Sequence, residues 1–199
     1  MSEEFWQHLW QKIFPAESID PQATAKRTFL DKTRVHNEQL AMSNAIQAAL
    51  QHNPTYTPNA SDENKIALRA RWAQLLRNLS RQYNSPVDDG AHVQNIRGIS
   101  DALSSEFAAI LQGRRFRIGT SQKSLNLYLK FLWCLGRLRV PPPHCPIDRV
   151  VLQKAKIDLA WTQLDSCEVY MQCVDTVRKF AGASNYGTLQ GWELTLWNQ

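Results

Sequence analysis

Long apolar runs are missing from this 199-residue chain. Without a stretch of about 18 uncharged apolar residues, a membrane-spanning helix is excluded. Glycine and proline are sparse, at eight and nine residues, too few for a collagen-like or linker-dominated chain. Cysteine is confined to Cys134, Cys145, Cys167 and Cys173. A chain of this length builds a core without staples, so these four read as buried free thiols. Glu3, Glu4, His8 and Lys12 interrupt the first residues, which argues against a secretory signal and makes the reducing cytoplasm the expected compartment. No P-loop, HExxH, GxSxG or dinucleotide fingerprint occurs, and no CxxC or HxxxH pair, so neither a cofactor nor a metal is expected.

One absence is local. From Phe107 to Ile147 there is no Asp or Glu, while Arg114, Arg115, Arg117, Lys123, Lys130, Arg137 and Arg139 supply seven positive charges. The chain has 23 basic and 18 acidic residues, so the rest of it carries 16 against 18. The excess of positive charge thus belongs to one segment, the electrostatic pattern of a face that meets DNA or another polyanion. The alternative is a solvated loop balanced in space by acidic helices.

What is present is helical periodicity nearly throughout. Phe5, Leu9 and Ile13, with Trp6 and Trp10, give i/i+4 spacing before Pro15, and Asp20-Pro21 starts a second helical stretch reaching about His52. After the turn-rich 53–60, Ser61 opens a helix whose buried side is expected to hold Ile66, Ala70, Trp72, Ala73, Leu76, Leu79 and Tyr83. Val93 to Leu111 follows, with Gly113 as its C-terminal cap. Thr120 or Ser121 caps the next helix, which is the most apolar and therefore the expected central one, ending at Gly136. Pro141-Pro142-Pro143 must be extended. Asp148 caps a short helix, Asp165 and Glu168 have capping-box spacing for another ending near Gly182, and a last one starts at Thr188. The spacing predicts an all-α fold of about seven helices in one domain, with 1–52 readable as an N-terminal subdomain and 91–160 as a basic core.

The tightest constellation is Arg114-Arg115-Phe116-Arg117-Ile118-Gly119-Thr120-Ser121-Gln122-Lys123. Free N–H groups at a helix N-terminus favour an anion, and Gly119 admits close backbone approach. Arg114, Arg115, Arg117, Gly119, Thr120 and Ser121 are therefore the expected phosphate contacts, against the plainer reading of an ordinary capped helix. Pro143-His144-Cys145-Pro146 reads as a stiffened loop that contacts a partner. The tryptophans Trp6, Trp10, Trp72, Trp133, Trp192 and Trp197 fall at helical spacing and read as core.

Two helices joined by a short loop ending in hydrophobic-Gly, then a helix with a lysine, resemble the helix-hairpin-helix of DNA glycosylases. The similarity is closest to the 8-oxoguanine glycosylase/lyase branch and covers residues 111–152. Lys123-Ser124-Leu125-Asn126-Leu127-Tyr128-Leu129-Lys130 is similar to that branch's catalytic-lysine segment, and Ile147-Asp148-Arg149-Val150 resembles its hydrophobic-Asp-Arg. The resemblance implies that Lys123 attacks the sugar C1′ as an amine and Asp148 assists by proton handling. It also implies a hairpin at Ile118 and Gly119 that holds a backbone phosphate. The expected function is a DNA-interacting helical protein related to these glycosylase/lyases. The alternative is a non-catalytic helical module whose basic segment meets an acidic protein partner.

Overall fold

The computed structural model describes residues 22–182 and 188–198, with Phe5 besides. The helix expected over Phe5–Ile13 and the start at Asp20-Pro21 lie outside the described residues, Phe5 apart. Among the described residues there are eight α-helices and no strand. They are α1 (Ala23–Thr33), α2 (Glu38–Leu50), α3 (Asp62–Ser80), α4 (Asp89–Phe107), α5 (Ile118–Cys134), α6 (Arg149–Lys154), α7 (Cys167–Gly182) and α8 (Leu189–Asn198). None is long and apolar enough to cross a membrane.

The stretch read as one helix to His52 divides in two. Arg34 adopts left-handed φ 56° and donates back to the end of α1, and Asn37 accepts the Leu40 N–H to open α2, an Asx cap that favours a restart over continuation. On α3 the buried stripe is Leu68, Trp72 and Leu76. Ile66 and Ala70, expected inside, face outward because the stripe runs two positions away from them. Gly113 does not cap α4, which ends at Phe107; it sits at φ 65° in a separate 3-10 turn. Asp148 caps α6 as the sequence suggests, accepting from the N–H groups of Val150 and Val151. Ser166, not Asp165, caps α7 through the Val169 N–H.

The core is organised on α5. Every residue from Ile118 to Trp133 is buried except Lys123. Such a helix cannot be amphipathic and must be wrapped on all sides. α2 lies along it most extensively, its Ala41, Ala45 and Ala49 letting the backbones approach, and α1, α3, α4 and α7 complete the wrapping. The 53–60 segment pairs with 110–112 through the Thr57 N–H to Ile110 O and Gln112 N–H to Thr55 O bonds.

Gly119 is where the wrapping is tightest. A Cβ there would stand 1.9 Å from the carbonyl oxygen of Trp161, and the Gly119 N–H donates to Leu164 O at 2.7 Å. Only hydrogen fits beneath this turn. Gly119→Ala is expected to destabilise the protein by about 3 kcal/mol, since backbone must move to admit the methyl. Urea unfolding measures this, and a wild-type midpoint would show that the 161–164 turn does not seat on α5.

Candidate functional site

Over residues 118–133, Lys123 is the single opening in α5. It lies one turn after Gly119, so the turn that presses on Gly119 also sets Trp161 beside it, with Lys123 Nζ 4.2 Å from the Trp161 ring centre. From the other side comes Asp148, at the end of the extended segment between α5 and α6. One carboxylate oxygen, Oδ1, is fixed by the two α6 amides, and the other, Oδ2, stands 4.0 Å from Lys123 Nζ. Side-chain exposure is 13% for Lys123 and 14% for Asp148. Burial pushes the Lys123 ammonium below the usual lysine range; Asp148 opposes this shift and Arg149 adds to it. An amine that sheds its proton more readily than an ordinary lysine, next to a carboxylate, is an arrangement suited to nucleophilic or proton-transfer chemistry.

The pair faces a cavity of about 380 Å³, within the range of small-ligand sites. Helical spacing explains its wall on α5, because Lys123, Leu127 and Phe131 recur every four residues on one face. Phe29 stacks on Phe131 at 5.1 Å, and Trp197 meets Phe29 edge-on at 5.8 Å. Seven residues after Lys123, Lys130 pairs with Glu193 in full burial. Lys130 Nζ also sits 3.9 Å from the Phe29 ring centre, and Trp197 donates its indole N–H to Glu193 at 2.7 Å. Val150 and Arg149 are exposed at the cavity rim.

The expected phosphate contacts do not converge in this way. Arg115 forms ion pairs with Asp101 at 2.8 Å and Asp165 at 3.2 Å. Arg117 donates to the Thr162 carbonyl at 3.1 Å. Asp165 accepts the Ile118 N–H at 3.1 Å, and Leu164 takes that of Gly119. Thr120 and Ser121 are buried in the first turn and do not cap the helix, which starts at Ile118. Thr120 accepts from Asn53, and Ser121 bonds back to Arg117 O. The amide cradle is thus filled by the protein's own 162–165 segment, a correction to the phosphate-binding hairpin. Of the six residues only Arg114 is exposed. The basic connector is a structural tie, not a free charged loop.

His144 and Cys145 are likewise internal, both fully buried, so the stiffened loop faces the core and not a partner. Burial drives the Cys145 thiol well above its usual range, which leaves it inert. Among the described residues no cluster of three His, Cys, Asp or Glu is placed to hold a metal. Trp72, Trp133 and Trp192 are core, but Trp197 lines the cavity, and Trp6 and Trp10 lie outside the described residues.

Sequence reading overlooked Trp161, Glu193, Phe29 and the pairing of Lys130. One signal was available: a lysine inside a helix with no exposed face requires a buried partner. Comparison of the chain with protein-family models, with curated proteins and with solved structures gives no match.

Proposed function

We propose that the protein acts on DNA as a glycosylase/lyase that uses Lys123 as its nucleophile. The observation that carries this reading is that the one opening in the wrapped stretch 118–133 of α5 holds a lysine whose Nζ is 4.0 Å from the Asp148 carboxylate, at the head of an aromatic-walled cavity. A structural salt bridge needs neither the opening nor the cavity.

In this reading a nucleotide turned out of the duplex enters the cavity, since its C1′ is out of reach inside the stack. Asp148 takes the ammonium proton, and the free amine bonds to C1′ as the C1′–base bond breaks; the base leaves with the bonding electrons and takes up the proton that the newly bonded nitrogen sheds. The nitrogen lone pair then forms the iminium as the C1′–O4′ bond breaks, and Asp148 returns its proton to O4′. Aromatic faces at Trp161 and Trp197 suit a flat base. Arg149, exposed at the cavity rim, is placed to meet a neighbouring phosphate.

Borohydride trapping on abasic duplex DNA tests the chemistry. Lys123 converts the sugar aldehyde to an iminium with loss of water, and hydride reduces it to a stable secondary amine linking protein and DNA. Wild type is expected to form this adduct, Lys123→Ala to form none, and Asp148→Asn to form it about 100-fold or more slowly. Absence of a Lys123-dependent adduct would reject the enzyme and leave the non-catalytic interaction module.

A further inference from the structure

Lys123 and Asp148 are brought together across a segment with no helix between Cys134 and Arg149, a stretch too long and irregular to fix their separation by itself. The contact that fixes it lies one residue back from each. Gln122, fully buried, donates its Nε2 to the Ile147 carbonyl at 2.7 Å and accepts the Ile147 N–H on Oε1 at 3.1 Å. Its carboxamide thereby satisfies both backbone groups of the residue preceding Asp148. No other uncharged side chain of this length both donates and accepts along one edge.

The grip is itself held. Asn126, one turn on, donates to Gln122 Oε1 at 3.2 Å, to Cys145 O at 3.2 Å and to the Tyr170 hydroxyl at 3.0 Å. Tyr170 meets His144 Nδ1 at 2.7 Å, and His144 Nε2 meets Asp89 at 2.9 Å. Residues 144–147 are therefore tied to α4, α5 and α7 together, and Asp148 emerges from the end of a rigid track.

We propose that Gln122 is the positioning residue of the Lys123–Asp148 pair: its two-point hold on Ile147 sets the distance at which the carboxylate meets the amine. Its catalytic meaning rests on the glycosylase/lyase reading, but the positioning itself is measurable without DNA. Gln122→Met keeps the length and removes both bonds. Gln122→Glu is isosteric, and its neutral acid form can donate and accept as the amide does, whereas its ionised form turns a negative oxygen on the Ile147 carbonyl.

Two readouts test this on the full chain. In the first, the Lys123 ammonium is titrated by NMR in the free protein, assigned with Lys123→Arg. Asp148 raises this titration, so Gln122→Met is expected to move its midpoint downward, toward that of Asp148→Asn, and the double variant is expected to move it no further. In the second, single-turnover trapping on abasic DNA is expected to slow by about 100-fold in Gln122→Met, with DNA affinity within about twofold of wild type. For Gln122→Glu, the rate relative to wild type, each corrected for that protein's own Lys123 midpoint, is expected to climb toward one as pH falls from 8 to 6. Tyr83→Phe, which loosens the same network at its far end through His92, is expected to leave the Lys123 midpoint unchanged.

A folded Gln122→Met with the wild-type Lys123 midpoint overturns the proposal, as does Tyr83→Phe reproducing the shift, since the effect would then be loss of stability alone. If Gln122→Met does not fold, a flat Gln122→Glu to wild-type ratio across this pH range overturns it. If wild type itself gives no adduct, the enzyme reading falls while the titration still decides the positioning.

Discussion

Replacing Glu193 by Leu is expected to cost about 3–5 kcal/mol of unfolding free energy, because it leaves the Lys130 ammonium buried with no carboxylate. Lys130 is 0% and Glu193 1% exposed, so water cannot take over the lost contact. The Phe29 face at 3.9 Å and the Trp197 ring at 5.5 Å are the remaining partners, and cation–π contact replaces only about 1–2 kcal/mol of it. Burial already holds the Glu193 carboxyl above its usual range, with Lys130 opposing; the pair is retained because each member excuses the cost of the other. Lys130→Met alone is expected to destabilise by a similar amount, since it strands the carboxylate. The double replacement Lys130→Met/Glu193→Leu is expected to come within about 2 kcal/mol of wild type, as apolar isosteres of a buried pair usually do. Urea denaturation of the four proteins at pH 7 reads the cycle. Additive losses would show that the two groups do not interact, and a single-variant cost below about 1 kcal/mol would place the pair in water.

Features set by neighbours in sequence were legible without a structure, and features set by distant partners were not. The central helix could be read because Leu125, Tyr128, Leu129, Leu132 and Trp133 repeat along it, and the α6 start because Asp148 bonds amides two and three residues ahead. Lys123 was singled out by resemblance, and only the fold brings Asp148 to it. The phosphate cradle at Gly119 failed for a tertiary reason: Asp165, 47 residues beyond Ile118, occupies the N–H that a sequence window leaves free. The same Asp165 had been assigned to its own helix, where Ser166 serves instead. Gln122 carries no local signal at all, since its partner Ile147 lies 25 residues on and is recognised through backbone atoms. Glu193, 63 residues from Lys130, looks in sequence like any surface glutamate of a final helix.

Lowering the pH from 7 to 5 is expected to remove the second large share of stability, through two buried histidines in the network behind Gln122. His92 Nδ1 accepts from the Tyr83 hydroxyl and its Nε2–H donates to Asn126, as the amide orientation of Asn126 requires. In His144 the Nδ1 accepts from Tyr170 and the Nε2–H donates to Asp89. Each ring is thus neutral with one proton, and a second proton would meet no free acceptor. Burial lowers His92 to about 3, with the neighbouring His144 charge adding to the shift. It lowers His144 to about 4, against the pull of Asp89 and with Arg178 assisting. The sign follows from where each state binds protons. Unfolded histidines protonate as pH falls through about 6.5, while the folded rings stay neutral until about 4 and 3. The unfolded state therefore gains protons first, and stability present above about 6.5 is lost between there and about 4. The two groups together give a loss of about 3–4 kcal/mol between pH 7 and 5. Asp89, held low chiefly by Arg178, acts with the same sign but only below the ordinary carboxylate range. Glu193 works in the opposite direction, because its raised carboxyl takes up a proton first in the folded state. The isolating measurement is accordingly the difference between wild type and His144→Gln in urea unfolding from pH 5 to 6.5. The variant is expected to lose about 1.1 kcal/mol per pH unit of the wild-type slope, and equal slopes would show that His144 is not held neutral by the fold.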